Sequence, residues 1–175
     1  ENVEDPEQGI SSEELSRMRE RQASFANEGG YSSIQGTRPQ TLGYSLNDSP
    51  AGLAAWIIEK FYTWCDCDDD IESRFTKDEL LTNVMVYWVT QTITSSTRIY
   101  YESRHTPSSR QMGYLETPVG AAIFPYEITI PPRQWAEAAY NVTRWTEMPR
   151  GGHFAALEQP KLLIDDIRSF FSGLR

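Results

Sequence analysis

Histidine and cysteine are scarce in this chain: it carries two of each, His105 and His153, Cys65 and Cys67. The cysteines stand one residue apart. A metal centre needs more ligands than that pair supplies, and no metal site is expected. A bridge between such close partners would be strained and would staple nothing, so both are expected as free thiols in a cytoplasmic protein. Basic residues are also in deficit, 16 against 25 acidic, for a net charge of −9. That balance speaks against nucleic acid and anionic membrane surfaces as partners. No apolar run approaches the ~20 residues that cross a bilayer. No leader is visible, and the chain opens on Glu1-Asn2 rather than Met, which suggests a fragment or a processed chain. What remains is a globular composition, 39% hydrophobic and 12% aromatic over 175 residues, enough for a real core.

The chain is organised around Gly151-Gly152-His153-Phe154-Ala155-Ala156. The two glycines allow a sharp turn and a close approach of backbones, because no Cβ stands in the way. Residues 141–148 before it are β-branched and aromatic and predict a strand. Pro160 after it suits the first turn of a helix. His153 therefore falls on a tight loop between a strand and a C-terminal helix, where an α/β enzyme places a general base.

Upstream, residues 1–10 read as a linker or frayed end. Ser11 with Glu14 makes a capping box for a mostly solvated helix to residue 28, ended by Gly29-Gly30. Residues 31–41 read as irregular. Ser49-Pro50 opens a second helix whose apolar face includes Leu53, Trp56, Ile57, Phe61 and Trp64. The run Asp66, Asp68, Asp69, Asp70 lacks calcium-loop spacing and reads as solvated surface. Thr76, with Glu79, caps a third helix that reads as continuous to about residue 102, with Leu80, Leu81, Val84, Met85, Tyr87 and Trp88 inward. Residues 103–117 read as a loop, with His105 exposed. Residues 119–124 are apolar enough for a buried parallel strand, and a short helix at 131–140 leads to the second strand. Leu162, Leu163, Ile167, Phe170 and Phe171 are expected inward on the last helix. The Asn141-Val142-Thr143 sequon falls in the second strand and is discounted.

Residues 1–105 are thus helical and 106–175 alternate strand and helix, which implies a parallel sheet. Two strands do not make a stable parallel sheet, so its remainder is expected outside this chain. Glu127 and His153 each fall just past the C-terminal end of a predicted parallel strand, where functional groups of open α/β sheets collect. A carboxylate there can orient an imidazole and stabilise its protonated form.

At these residues the chain resembles the α/β-hydrolase-fold epoxide hydrolases of the microsomal, fungal and bacterial type. The resemblance runs from about Gly29 to the end. It rests on Gly30-Tyr31, Ile34-Gln35 and Thr37-Arg38-Pro39, and on Leu46-Asn47-Asp48-Ser49-Pro50 through Trp56. It continues at Leu80 to Met85, Tyr100, Phe124-Pro125-Tyr126-Glu127 and Gly151 to Ala156. The resemblance implies a C-terminal part of an α/β-hydrolase fold with a mainly helical cap, residues 1–105 being cap and 106–175 core. It implies hydrolysis of epoxides to vicinal diols, as in detoxification or aromatic hydrocarbon catabolism, without a cofactor. His153 would be the general base and Glu127 its orienting acid. Tyr31 and Tyr100 would hydrogen-bond the epoxide oxygen, with Tyr101 the neighbour that Tyr100 could be confused with. The family's nucleophilic Asp, on a Gly-x-Asp-x-Gly-like elbow, and its His-Gly-x-Pro motif do not occur here. The nucleophile is expected on a complementary N-terminal portion, the other partners being a small epoxide and, for assembly, a second copy. The alternatives are another α/β hydrolase, a dehalogenase or esterase, or a non-catalytic binding fragment.

Overall fold

Ser11, Ser49 and Thr76 each close the start of a helix with their own side chains. Ser11 accepts from the Glu14 N–H at 3.2 Å at the head of α1 (Ser12–Glu28). Ser49 accepts from Gly52 at the head of α4 (Pro50–Trp64), and Thr76 from Glu79 at the head of α5 (Lys77–Thr90). Each satisfies a backbone donor that the helix itself leaves without a partner. The computed structural model describes residues 7–106 and 113–174. The expected N-terminal linker lies in part, at residues 1–6, outside the described residues, as do residues 107–112 of the expected loop.

Residues 31–41 are not irregular. They fold into α2 (Gly30–Gln35) and the first turn of α3 (Pro39–Asp48). Pro39 takes the first turn of α3, where its missing N–H costs nothing. Gly43 lets α3 lie close to α6 (Ile93–His105): a Cβ there would stand 2.2 Å from the Thr94 Oγ1. The third predicted helix is in fact two. Gln91 adopts a left-handed φ of 57° and its N–H closes the end of α5, so the Thr-rich stretch restarts as α6.

Two apolar clusters meet along α4. One joins Phe61, Phe75, Leu80 and the two cysteines. The other joins Leu46, Leu53, Val84 and Ile93. Leu53 is fully buried. Leu81 and Met85, expected inward, are exposed on the outer face of α5, and Ile167 and Phe171 are exposed on α9 (Pro160–Ser172). Cys65 and Cys67 are not free thiols: they are joined as a disulfide and buried. That pairing removes the ground on which a reducing compartment was expected. Asp66 between them is buried rather than solvated, whereas Asp68 to Asp70 are exposed.

The sheet has two parallel strands among the described residues, β1 (Leu115–Ile123) and β2 (Tyr140–Glu147), with Val119 opposite Val142 and Ile123 opposite Glu147. α7 (Arg133–Ala139) connects them, and α8 (Ala155–Glu158) follows the His153 loop. β1 begins inside the stretch read as a loop. α9 crosses β1 where Gly120 leaves room for the Phe170 ring. No helix among the described residues is long and apolar enough to cross a membrane.

Candidate functional site

Beyond the strands, the ladder makes one more parallel bridge, between Tyr126 and Gly152. The Tyr126 N–H donates to the Gly151 carbonyl at 3.0 Å. This bridge sets the residue after Tyr126 beside the residue after Gly152. Glu127 and His153 therefore meet, with Nδ1 of His153 2.6 Å from Oε1 of Glu127. The same oxygen accepts the Ile128 N–H at 2.7 Å. Burial pushes the Glu127 carboxyl up, but the bonds from His153 and Ile128 and the charges of His153 and Arg21 outweigh it and hold it below its usual range. Arg21, on α1, donates to the backbone carbonyls of Pro125 and Glu127. With Glu127 ionised, Nδ1–H donates to it and Nε2 carries the free lone pair.

The His153 loop is fixed through its backbone. Gly151 has a φ of 111°, which suits glycine. Gly152 passes so close to α4 that a Cβ would stand 2.5 Å from the Trp64 carbonyl oxygen. The His153 N–H donates to that same carbonyl at 3.0 Å. Two buried carboxylates hold the neighbouring donors: Asp66 takes the N–H of Gly151, and Glu158 takes those of Gly152 and Phe154.

Tyr31 from α2 and Tyr100 from α6 meet edge to face, ring centroids 5.7 Å apart. Tyr31 also stands edge-on to Trp64 at 5.2 Å, and Trp64 to His153 at 5.3 Å. The Lys60 ammonium lies 5.0 Å from the centre of the Tyr31 ring. Burial, then the charge of Tyr100 and a hydrogen bond with it, pushes the Tyr31 hydroxyl up to about 12. Tyr31, Tyr100 and His153 line one cavity of about 340 Å³, whose walls include Trp56, Phe154 and Leu157. Phe154 is seated there by a face-to-face stack on Phe61 at 4.0 Å. Tyr101 belongs elsewhere. It stacks on His105 at 3.9 Å and faces a separate groove with Thr37 and Arg98. His105 is exposed, as expected.

The structure thus brings together all four residues singled out from the sequence. Sequence reasoning missed Arg21, Trp64, Asp66 and Glu158. Glu158 carried a signal: a lone carboxylate among Phe154, Ala155, Ala156 and Leu157 has to find partners when the segment packs. Asp66 carried a weaker one, its place between two cysteines.

No family model matches the chain. It is 46% identical over 157 residues to epoxide hydrolase 1 of Sus scrofa, covering 84% of this chain and 35% of that protein. It is 49% identical over 152 residues to juvenile hormone epoxide hydrolase 2 of Ctenocephalides felis, covering 81% and 33%. Its fold is similar to the crystal structure of juvenile hormone epoxide hydrolase from Bombyx mori, with a TM-score of 0.80 and 32% identity over 95% of this chain and 43% of that one. The Aspergillus niger epoxide hydrolase structure gives a TM-score of 0.81 at 30% identity, covering all of this chain and 43% of the other. The chain spans about a third of the length of these curated relatives. In sequence and in fold, the chain corresponds to the C-terminal portion of the α/β-hydrolase-fold epoxide hydrolases, and belongs with that family.

Proposed function

We propose that this chain, joined to a nucleophile-bearing N-terminal portion, hydrolyses epoxides to vicinal diols. The reading rests above all on one observation: Tyr31, Tyr100 and His153 share a cavity, and Glu127 is bonded to His153. Residues 1–105 serve as the cap and 106–175 as the end of the core. The aromatic and aliphatic walls suit an epoxide with an apolar substituent. Named relatives that act on juvenile hormone fit such a substrate class.

In the first step a carboxylate oxygen of the partner Asp bonds to one ring carbon as that carbon–oxygen bond breaks. Tyr31 and Tyr100 hydrogen-bond the oxygen while it gains charge, and one of them gives it a proton. The Tyr31 hydroxyl, pushed up to about 12, is protonated at neutral pH and offers a hydrogen bond to that oxygen, while the rise makes it a weaker acid than a free phenol. In the second step Nε2 of His153 takes a proton from water, and the hydroxide attacks the ester carbonyl. The tetrahedral species expels the diol oxygen, which takes the proton from the imidazolium. The Asp carboxyl formed in this collapse gives up its own proton to the tyrosinate left by the first step, so that the Asp carboxylate and both phenols are restored. Glu127 keeps the imidazole in the right tautomer and stabilises its charged form.

A dehalogenase or esterase could use the same Glu127 and His153. Neither chemistry calls for two phenols beside the base, since a halide is held by other side-chain donors and an ester oxyanion by backbone N–H groups. The deciding experiment is His153→Gln in the enzyme with its nucleophile-bearing portion. The substrate ester should form and persist, visible as an adduct by intact-protein mass spectrometry. Normal turnover, or no adduct, would remove the proposal.

A further inference from the structure

Four successive backbone donors surround the base, and each is held by a group from outside the loop. The Gly151 N–H goes to Oδ2 of Asp66 at 2.7 Å. The Gly152 N–H goes to Oε2 of Glu158 at 2.9 Å, and the Phe154 N–H to its Oε1 at 2.9 Å. The His153 N–H goes to the Trp64 carbonyl at 3.0 Å. Oε2 of Glu158 also accepts the Asp66 N–H at 2.8 Å. Both carboxylates are buried, Glu158 8% exposed and Asp66 7%. Glu158 therefore bridges the loop that carries His153 and the segment that follows α4, and Asp66 from that segment ties the same loop directly through Gly151. Burying a carboxylate is costly, and a hydrogen-bonded carboxylate is a stiffer anchor than a neutral acceptor.

We infer that Glu158, together with Asp66, is a positioning residue for His153, acting on the second chemical step. The inference rests on the proposed function above. The 2.6 Å contact between His153 and Glu127 depends on where residues 151–154 lie. Misplacing a catalytic group by about 1 Å costs on the order of a hundredfold in rate. Ring opening depends on Tyr31 and Tyr100, which ride on α2 and α6, and on an Asp outside this chain. None of these sits on the loop. Loosening the clamp should therefore slow ester hydrolysis and leave ring opening nearly as it was, whereas a residue that merely held the fold together would slow both.

The test uses the enzyme with its nucleophile-bearing portion and measures the two steps separately by rapid quench. Glu158→Gln keeps the shape but turns an NH2 group toward N–H donors. It should slow ester hydrolysis by roughly ten- to a hundredfold, the scale set by small misplacements of a catalytic group, with ring opening within about threefold. The adduct should then become visible during turnover. Asp66→Ala should show the same split, and Asp66→Asn, which retains one acceptor for the Gly151 N–H, should recover part of the loss. If Glu158→Gln fails to fold, the Asp66 pair carries the decision. Equal slowing of both steps, or no slowing of either, overturns the positioning role. His153→Gln run alongside separates the two failures: if it accumulates no ester, the proposed function itself is wrong.

Discussion

Tyr31 and Tyr100 meet edge to face, 5.7 Å between ring centres, although one rides on α2 and the other on α6. Nothing local joins them; the packing of α2 against α6 does. Two donors on one developing alkoxide share its charge. Removing one well-placed donor typically raises the barrier by about 3 kcal/mol, roughly a hundredfold in rate. Tyr31→Phe and Tyr100→Phe should each slow ring opening by about that factor, and the double change should abolish it. Tyr101→Phe should be nearly silent, since Tyr101 stacks on His105 outside the cavity. Single-turnover kinetics on the four variants checks this; a damaging Tyr101→Phe beside a harmless Tyr100→Phe would reverse the assignment.

The Tyr31 hydroxyl gives a pH expectation with a definite sign. Its ordinary value of 10.0 is raised to about 12 by burial first and by Tyr100 second. A raised value favours the neutral phenol in the folded state. Its stabilising share is therefore complete below about pH 10 and is lost as pH climbs through about 12. Glu127 works in the opposite direction: held low, it contributes above the usual carboxylate range and loses that share as pH falls through its own lowered value. Thermal melts against pH should show the acid loss weakened in Glu127→Gln and the alkaline loss weakened in Tyr31→Phe. Unchanged profiles in both would contradict the electrostatics described here.

Gly152 tests the close approach of the His153 loop to α4. An alanine Cβ would meet the Trp64 oxygen at 2.5 Å and the Asp66 nitrogen at 3.0 Å, and both are backbone atoms that cannot swing aside. Overpacking of this kind costs about 1–3 kcal/mol. Gly152→Ala should lower the melting temperature by several degrees, on the scale of about 4 °C or less per kcal/mol for a protein of this size or larger. Gly30→Ala, where a Cβ meets nothing within 4 Å, should not. Equal melting temperatures for Gly152→Ala and the parent would refute the contact.

The two-stranded sheet has consequences for assembly. Both outer edges of β1 and β2 lack a strand neighbour among the described residues, and Leu115, Ile167 and Phe171 are exposed nearby. Unpaired edges beside apolar surface recruit other chains. Produced alone, this chain should self-associate, and the proposed nucleophile-bearing portion added in trans should reverse that. Sedimentation of a monodisperse monomer that also melts cooperatively would count against an incomplete sheet.

What could be read from the sequence was local or followed a general rule. The caps at Ser11, Ser49 and Thr76 announce themselves because the donor they satisfy lies within three residues. The meeting of Glu127 with His153 follows from two parallel strands ending side by side. The misses have different causes, some of them partners remote in sequence and some local. Asp66 sits in an acidic run, the usual mark of a wetted loop, and only the Gly151 N–H, far along the chain, makes it a buried anchor. Leu81 and Met85 keep helical spacing with Leu80 and Val84, and periodicity cannot tell which edge of a wide apolar stripe is covered. Gln91 breaks a long helix by adopting a left-handed conformation that its residue type does not advertise.

α1 buries none of its residues, yet it sends Arg21 to the carbonyls of Pro125 and Glu127 and lowers the Glu127 carboxyl by its charge. Seating of this helix and ionisation of that carboxyl are therefore linked equilibria, and linkage is reciprocal. Taken by itself, loss of the Arg21 charge makes Glu127 easier to protonate, and protonating Glu127 weakens that part of the hold on α1 in the same proportion. The acidity of the group behind His153 is a property shared with a surface helix at the other end of the chain.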